Sequence, residues 1–132
     1  MFRWLFHPAA AWGLLAAYAG CIFYVSAQPI GGEGVIPHLD KLLHAMEYGL
    51  FGALAYHALQ VSRSSGGRYG NLLLAIGLSV AYGISDELHQ YFVPTRDMSY
   101  ADLVADAIGA AGGAWIMAKH GWNVRRAEQT NR

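Results

Sequence analysis

NLLLAIGLSVAYGISDELHQYFV, residues Asn71 to Val93, is the stretch that decides the fold. Its first two thirds are almost wholly apolar, and its last third carries Ser85, Asp86, Glu87, His89 and Gln90. A helix crossing ~30 Å of hydrocarbon needs about 20 residues, so this run is long enough to span a bilayer with a polar end. Three further runs match it. Ala9 to Ala27 has no charge, Leu39 to Val61 is polar only in its first third, and Tyr100 to Ala118 is charged only in its first two turns. The breaks are turn-forming: Gln28-Pro29-Ile30-Gly31-Gly32-Glu33-Gly34, Ser62-Arg63-Ser64-Ser65-Gly66-Gly67 and Pro94-Thr95-Arg96-Asp97. The pattern predicts an all-α polytopic membrane protein, one domain over 1–132, with four transmembrane helices (9–27, 39–61, 71–93 and 100–118) in one bundle.

Composition agrees. The 132 residues are 55% hydrophobic and 14% charged, where soluble domains carry about 25% charge. Four such runs leave a soluble helical protein almost no polar surface. Zero net charge gives no case for a nucleic-acid partner. Cys21 is the single cysteine, so no internal disulfide forms, and it reads as a small buried hydrophobe. Arg3, the first apolar run and Val25-Ser26-Ala27 resemble a signal peptide. That run exceeds the usual hydrophobic core of such a peptide and three more spans follow, which favours a retained helix. Cleavage would leave the orientation of the others unchanged.

Seven of the nine Lys and Arg residues lie at the N-terminus, in the loop after the second span and at the C-terminus: Arg3, Arg63, Arg68, Lys119, Arg125, Arg126 and Arg132. Lys41 and Arg96 lie on the other side. The positive-inside rule then places both termini in the cytoplasm. The acids are skewed the opposite way. Glu33, Asp40, Glu47, Asp86, Glu87, Asp97, Asp102 and Asp106 fall toward the outer side, and only Glu128 inside.

Helical geometry gathers these groups. At 100° per residue, Asp40, His44 and Glu47 form one narrow stripe on the second helix. On the third, Tyr82, Ser85, Asp86, His89 and Gln90 share an arc of about 140°, with Glu87 just outside it. On the fourth, Ser99, Asp102, Asp106, Gly109 and Gly113 share a face. Glu47, Asp86 and Asp106 all come out about 10 Å below the outer surface. Charge facing lipid at mid-membrane costs roughly 2.5–3.5 kcal/mol on insertion scales, so the three faces are expected to meet around an outward-opening polar cavity. Carboxylates outnumber fixed cations there, and protons, a metal or a cationic ligand must offset the surplus.

Three readings follow. In a metal site, His44, His89, Asp40 and Glu47 are the expected ligands for zinc or a similar divalent ion, in a spacing that matches no recognised motif. In acid–base chemistry, His44, Asp86 and His89 are the expected catalytic groups, with Ser85 as nucleophile or, in the plainer reading, a helix-packing hydroxyl. In the third, the acids pair with histidines, Lys41 and Arg96 only to hold the helices. Gly109-Ala110-Ala111-Gly112-Gly113 lets a neighbouring helix approach closely, inside the bundle rather than between copies. His57 reads as a satisfied core histidine. Trp4, Trp12, Tyr69, Trp115 and Trp122 suit interfacial belts.

Asp40-Lys41-Leu42-Leu43-His44 and Ile84-Ser85-Asp86-Glu87-Leu88-His89-Gln90-Tyr91-Phe92-Val93-Pro94-Thr95-Arg96, followed by Asp102 and Gly109, resemble the VanZ-like family. The match covers roughly Leu39 to Gly113. Two positions depart from it: Ala45, where the family often has an aromatic, and Asp106, where it often has Asn. The first bears on packing and the second adds an acid to the cluster. The resemblance implies a protein of the bacterial cytoplasmic (inner) membrane. It also implies a link to glycopeptide resistance, since the founding member is associated with teicoplanin resistance, but it carries no defined reaction. The leading expectation is binding of, or action on, a membrane lipid or lipid-linked cell-wall precursor from the outer face. Lys41, Glu87, Gln90, Arg96, Asp102 and Asp106 would then contact the ligand. A membrane-embedded, metal-dependent hydrolase of lipid head groups is the alternative, and a structural or partner-binding protein the second. Whether the chain is an enzyme, and its oligomeric state, stay open on sequence.

The charge division predicts that a cysteine placed at position 66 or 126 is protected from membrane-impermeant thiol reagents added to intact cells. Labelling at either position from outside would reverse the topology.

Overall fold

A computed structural model describes residues 7–29, 39–63 and 66–130, with the side chains of 121–130 excepted. Readings that rest on Arg3, Trp4, Glu33, Trp122, Arg125, Arg126, Glu128 or Arg132 lie outside those described residues or side chains. The described chain is all-helical. Four helices follow in order: α1 (Pro8–Ser26), α2 (Leu39–Ser62), α3 (Arg68–Gln90) and α4 (Tyr100–Thr130). Pro8 opens α1, where a missing backbone N–H costs nothing.

Two helices, α3 and α4, differ in extent from the sequence reading. α3 starts three residues earlier and stops at Gln90, because Gly67, at φ 65°, turns the chain directly into Arg68. Tyr91 to Val93 then form turns rather than a last helical turn. α4 runs well past residue 118.

α1, α3 and the Tyr100–His120 part of α4 are long and apolar enough to cross a membrane. α2 has the length, 24 residues, but its first third carries Asp40, Lys41, His44 and Glu47. Contacts fix the directions. Trp12 near the start of α1 donates to Ser62 at the end of α2 (2.8 Å), so these two run oppositely. Tyr82 of α3 donates to the Ala19 carbonyl of α1, and Ser26 of α1 donates to Asp86 of α3, so these two run together. A β-carbon on Gly109 would strike Ala45, and one on Gly113 would strike Gly49. α4 therefore runs with α2, in an up-down-up-down bundle.

Its surface inverts that of a soluble bundle. Leu43, Met46, Leu73, Phe92, Ile108 and Ile116 are exposed, while Asp86, Glu87, Gln90, Asp102 and Asp106 are buried. Half of the buried hydrophobic residues among those described are alanines. Large apolar groups outward and small or polar groups inward is the arrangement of a membrane protein.

The tightest packing lies between α2 and α4. β-carbons on Gly52, Gly109 and Gly113 would all collide with backbone of the facing helix, whereas one on Gly112 would meet nothing within 4 Å. Backbone cannot yield as a side chain can. Gly109→Ala and Gly113→Ala are expected to destabilise the detergent-solubilised protein by about 2–3 kcal/mol, the upper range for overpacking. Gly112→Ala should be neutral or slightly stabilising, since glycine within a helix costs roughly 0.5–1 kcal/mol relative to alanine. Thermal unfolding of the three variants decides it, and equal effects would contradict the α2–α4 seam.

Candidate functional site

The seam sets the site because the α2 residues preceding it face those of α4. With Ala45 against Gly109 and Gly49 against Gly113, the preceding turns bring Lys41 to Asp102 and His44 to Asp106. Lys41 Nζ bridges Asp40 Oδ2 at 2.6 Å and Asp102 Oδ1 at 2.5 Å. His44 Nδ1 lies 2.9 Å from Asp106 Oδ1, with the Asp106 side chain 1% exposed. A neutral His44 donates from Nδ1 in this bond, so Asp106 fixes its tautomer.

α3 supplies the third wall. Glu87 is completely buried, and its Oε2 accepts the backbone N–H of Ser99 (2.9 Å). Ser99 in turn caps α4, its Oγ accepting from the Asp102 N–H. Glu87 thereby pins the start of α4 against the end of α3. One oxygen of each carboxylate is used this way. Glu87 Oε1, Asp106 Oδ2 and the Tyr48 hydroxyl are buried with no hydrogen-bond partner. His44, Glu87 and Asp106 each offer a ligand atom, and these atoms lie within 4.8 Å of one another.

A second group sits on the α1 side. Asp86 Oδ2 accepts from Ser26 Oγ (2.8 Å) and from Gln90 Nε2 (3.1 Å). Gln90 Oε1 accepts from Arg96, and the same guanidinium donates to the carbonyls of Val25 and Gln28 at the end of α1. A cation is favoured at that helix end. Thr95, at φ 68°, is a β-branched residue in the left-handed region, just before this returning arginine. His89 stacks flat on Phe23 of α1, centroids 4.1 Å apart. Glu47 stands between the groups, within electrostatic reach of His44, Asp86, Asp106 and Arg96. Above it, Tyr48, Phe51 and Tyr82 pack ring on ring, and Tyr18 donates to the Glu47 carbonyl.

The helix-two and helix-four faces therefore meet as their spacing implies. The metal-ligand set does not assemble as expected. His89 is drawn away by Phe23, Asp40 is occupied by Lys41, and Glu87 and Asp106 stand beside His44 in place of His89, Asp40 and Glu47. Ser85, a candidate nucleophile, is exposed and donates to the Tyr82 carbonyl of its own helix. Lys41 and Arg96 are both committed: Lys41 to Asp40 and Asp102, Arg96 to Gln90 and α1. Ser26 and Tyr48 were not among the sequence candidates. Ser26 closes a charge-free helix, and Tyr48 follows Glu47 at the border of the polar stripe. Those were their only signals.

A family model described as VanZ/LLP1 matches residues 4–121, nearly the whole chain. Neither the curated proteins nor the solved structures give a significant match.

The placement of Ser85 generates a sharp expectation. Ser85→Ala should leave thermal stability within about 0.5 kcal/mol of wild type, as for ordinary surface changes, and leave any cellular phenotype intact. A stable Ser85→Ala protein without function would restore the nucleophile role.

Proposed function

The chain belongs to the VanZ/LLP1 family, and we propose that it is a bacterial envelope protein whose polar cluster engages the head group of a lipid or lipid-linked cell-wall component. One observation carries this reading: two buried carboxylates, Glu87 and Asp106, flank His44 and each keeps an unpartnered oxygen. A bundle held by Gly and Ala seams has no need of such groups for stability, and ionisable side chains inside membrane bundles mark working sites by default. Lys41, only partly buried at the rim, is suited to meet a phosphate-bearing head group, exchanging a carboxylate for it. The bias of Lys and Arg supports an outward-facing site and cytoplasmic termini. A contribution to glycopeptide tolerance follows if the bound component is the drug's target or its precursor.

Hydrolysis of the head group is the second reading. The His44–Asp106 bond favours it, since a histidine oriented by a buried carboxylate is the usual general-base arrangement.

Glu87→Gln and Asp106→Asn test the site while keeping volume. Both should accumulate in the membrane as wild type does. Each should retain co-purified envelope lipid about tenfold less well, the value of one charge-assisted hydrogen bond, and fail to restore glycopeptide or detergent tolerance to a deletion strain. Variants that are stable, lipid-loaded and functional would remove the site. Stability falling in step with phenotype would favour a structural cluster.

A further inference from the structure

We propose that His44, Glu87 and Asp106 together hold one divalent first-row transition-metal ion, zinc or manganese in character. The donor set is one imidazole and two carboxylates from three helices. With a neutral histidine its charge is −2, which a divalent cation cancels. The described Lys and Arg side chains do not do so. Lys41 bonds to Asp40 and Asp102, and Arg96 to Gln90, Val25 and Gln28.

The orphaned oxygens point the same way. Glu87 and Asp106 are 0% and 1% exposed, and their Oε1 and Oδ2 atoms lack partners. Protonating one of these oxygens would neutralise only its own carboxylate. A metal neutralises both while giving each oxygen a bond. Gly83 supplies room. A β-carbon there would stand 3.3 Å from Asp106 Oδ2 and 3.3 Å from the Tyr48 ring, so glycine keeps that flank of the carboxylate open. Ligands on a metal at about 2.1 Å cannot be more than ~4.2 Å apart. The observed spread of up to 4.8 Å closes by rotating one carboxylate. Three ligands from a mixed N/O set leave open coordination positions, and oxygen-rich sets with one imidazole suit zinc or manganese.

The proposal rests on the cluster being a working site, yet it is read without lipid, so it can fail while lipid binding stands. Untagged full-length protein purified in detergent is stripped with chelator, reloaded with zinc or manganese, and its metal content and melting temperature measured. We expect about one ion per chain and a metal-dependent rise in melting temperature. Glu87→Gln and Asp106→Asn should weaken uptake about 10–100-fold or more, and Asp40→Asn should leave it unchanged. Wild-type protein that takes up no ion and gains no stability overturns the proposal. So does full uptake by Glu87→Gln or Asp106→Asn. Should those variants fail to fold, the cobalt(II) spectrum of wild type decides. One nitrogen with oxygen ligands supports the site, and sulfur or several nitrogens overturns it.

Discussion

Backbone-to-backbone contact between α2 and α4 governs the rest of the molecule. Gly52, Gly109 and Gly113 bring the two helices closer than any side chain would permit. At such a distance the next turn along each helix has nowhere to put a polar side chain except against its counterpart. Lys41 meets Asp102 and His44 meets Asp106. Ala45 belongs to this economy of space: its backbone receives Gly109 directly. A membrane bundle gains little from burying apolar area against lipid, so close packing of small residues is the main force available to it. The same force that holds α2 to α4 also builds the polar cluster.

α3 completes the site by a different logic. Asp86 and Glu87 are adjacent, so they point to different neighbours. Asp86 turns to Ser26 on α1 and Glu87 to the start of α4. The pair divides the polar end into a hydrogen-bonded network around Asp86, Gln90 and Arg96 and a compact group around Glu87, Asp106 and His44. The first stitches α1 to the loop before α4. The second leaves one oxygen of each carboxylate unpartnered, as Asp86 does in the first.

Much of this was legible in the sequence. Apolar run lengths gave four helices, and 100° spacing put Asp102, Asp106, Gly109 and Gly113 on the face that packs on α2. Glu87 was harder. An arc drawn from the other polar residues of α3 leaves it at the margin, because periodicity assumes one buried face. α3 is buried on two sides, against α1 and against α2 with α4, and Glu87 lies on the second. His89 is hard to place for a related reason. Its ring stacks on Phe23, and an aromatic in a charge-free helix gives no sign of being a histidine's partner. Ser26 is silent in the same way. The end of α3 fell short of Val93 because the turn before Pro94 outcompeted a last helical turn.

The α2–α4 seam couples His44 to Asp106 as one buried pair. A double-mutant cycle measures that coupling directly. His44→Gln, Asp106→Asn and the double variant are compared with wild type by unfolding in detergent. Residues in contact within one network show interaction energies of about 0.5–3 kcal/mol, while independent sites add to within ~0.5 kcal/mol. A coupling above about 1 kcal/mol is expected, with the second substitution costing far less once the first is made. Strict additivity would mean that the two side chains do not share a site.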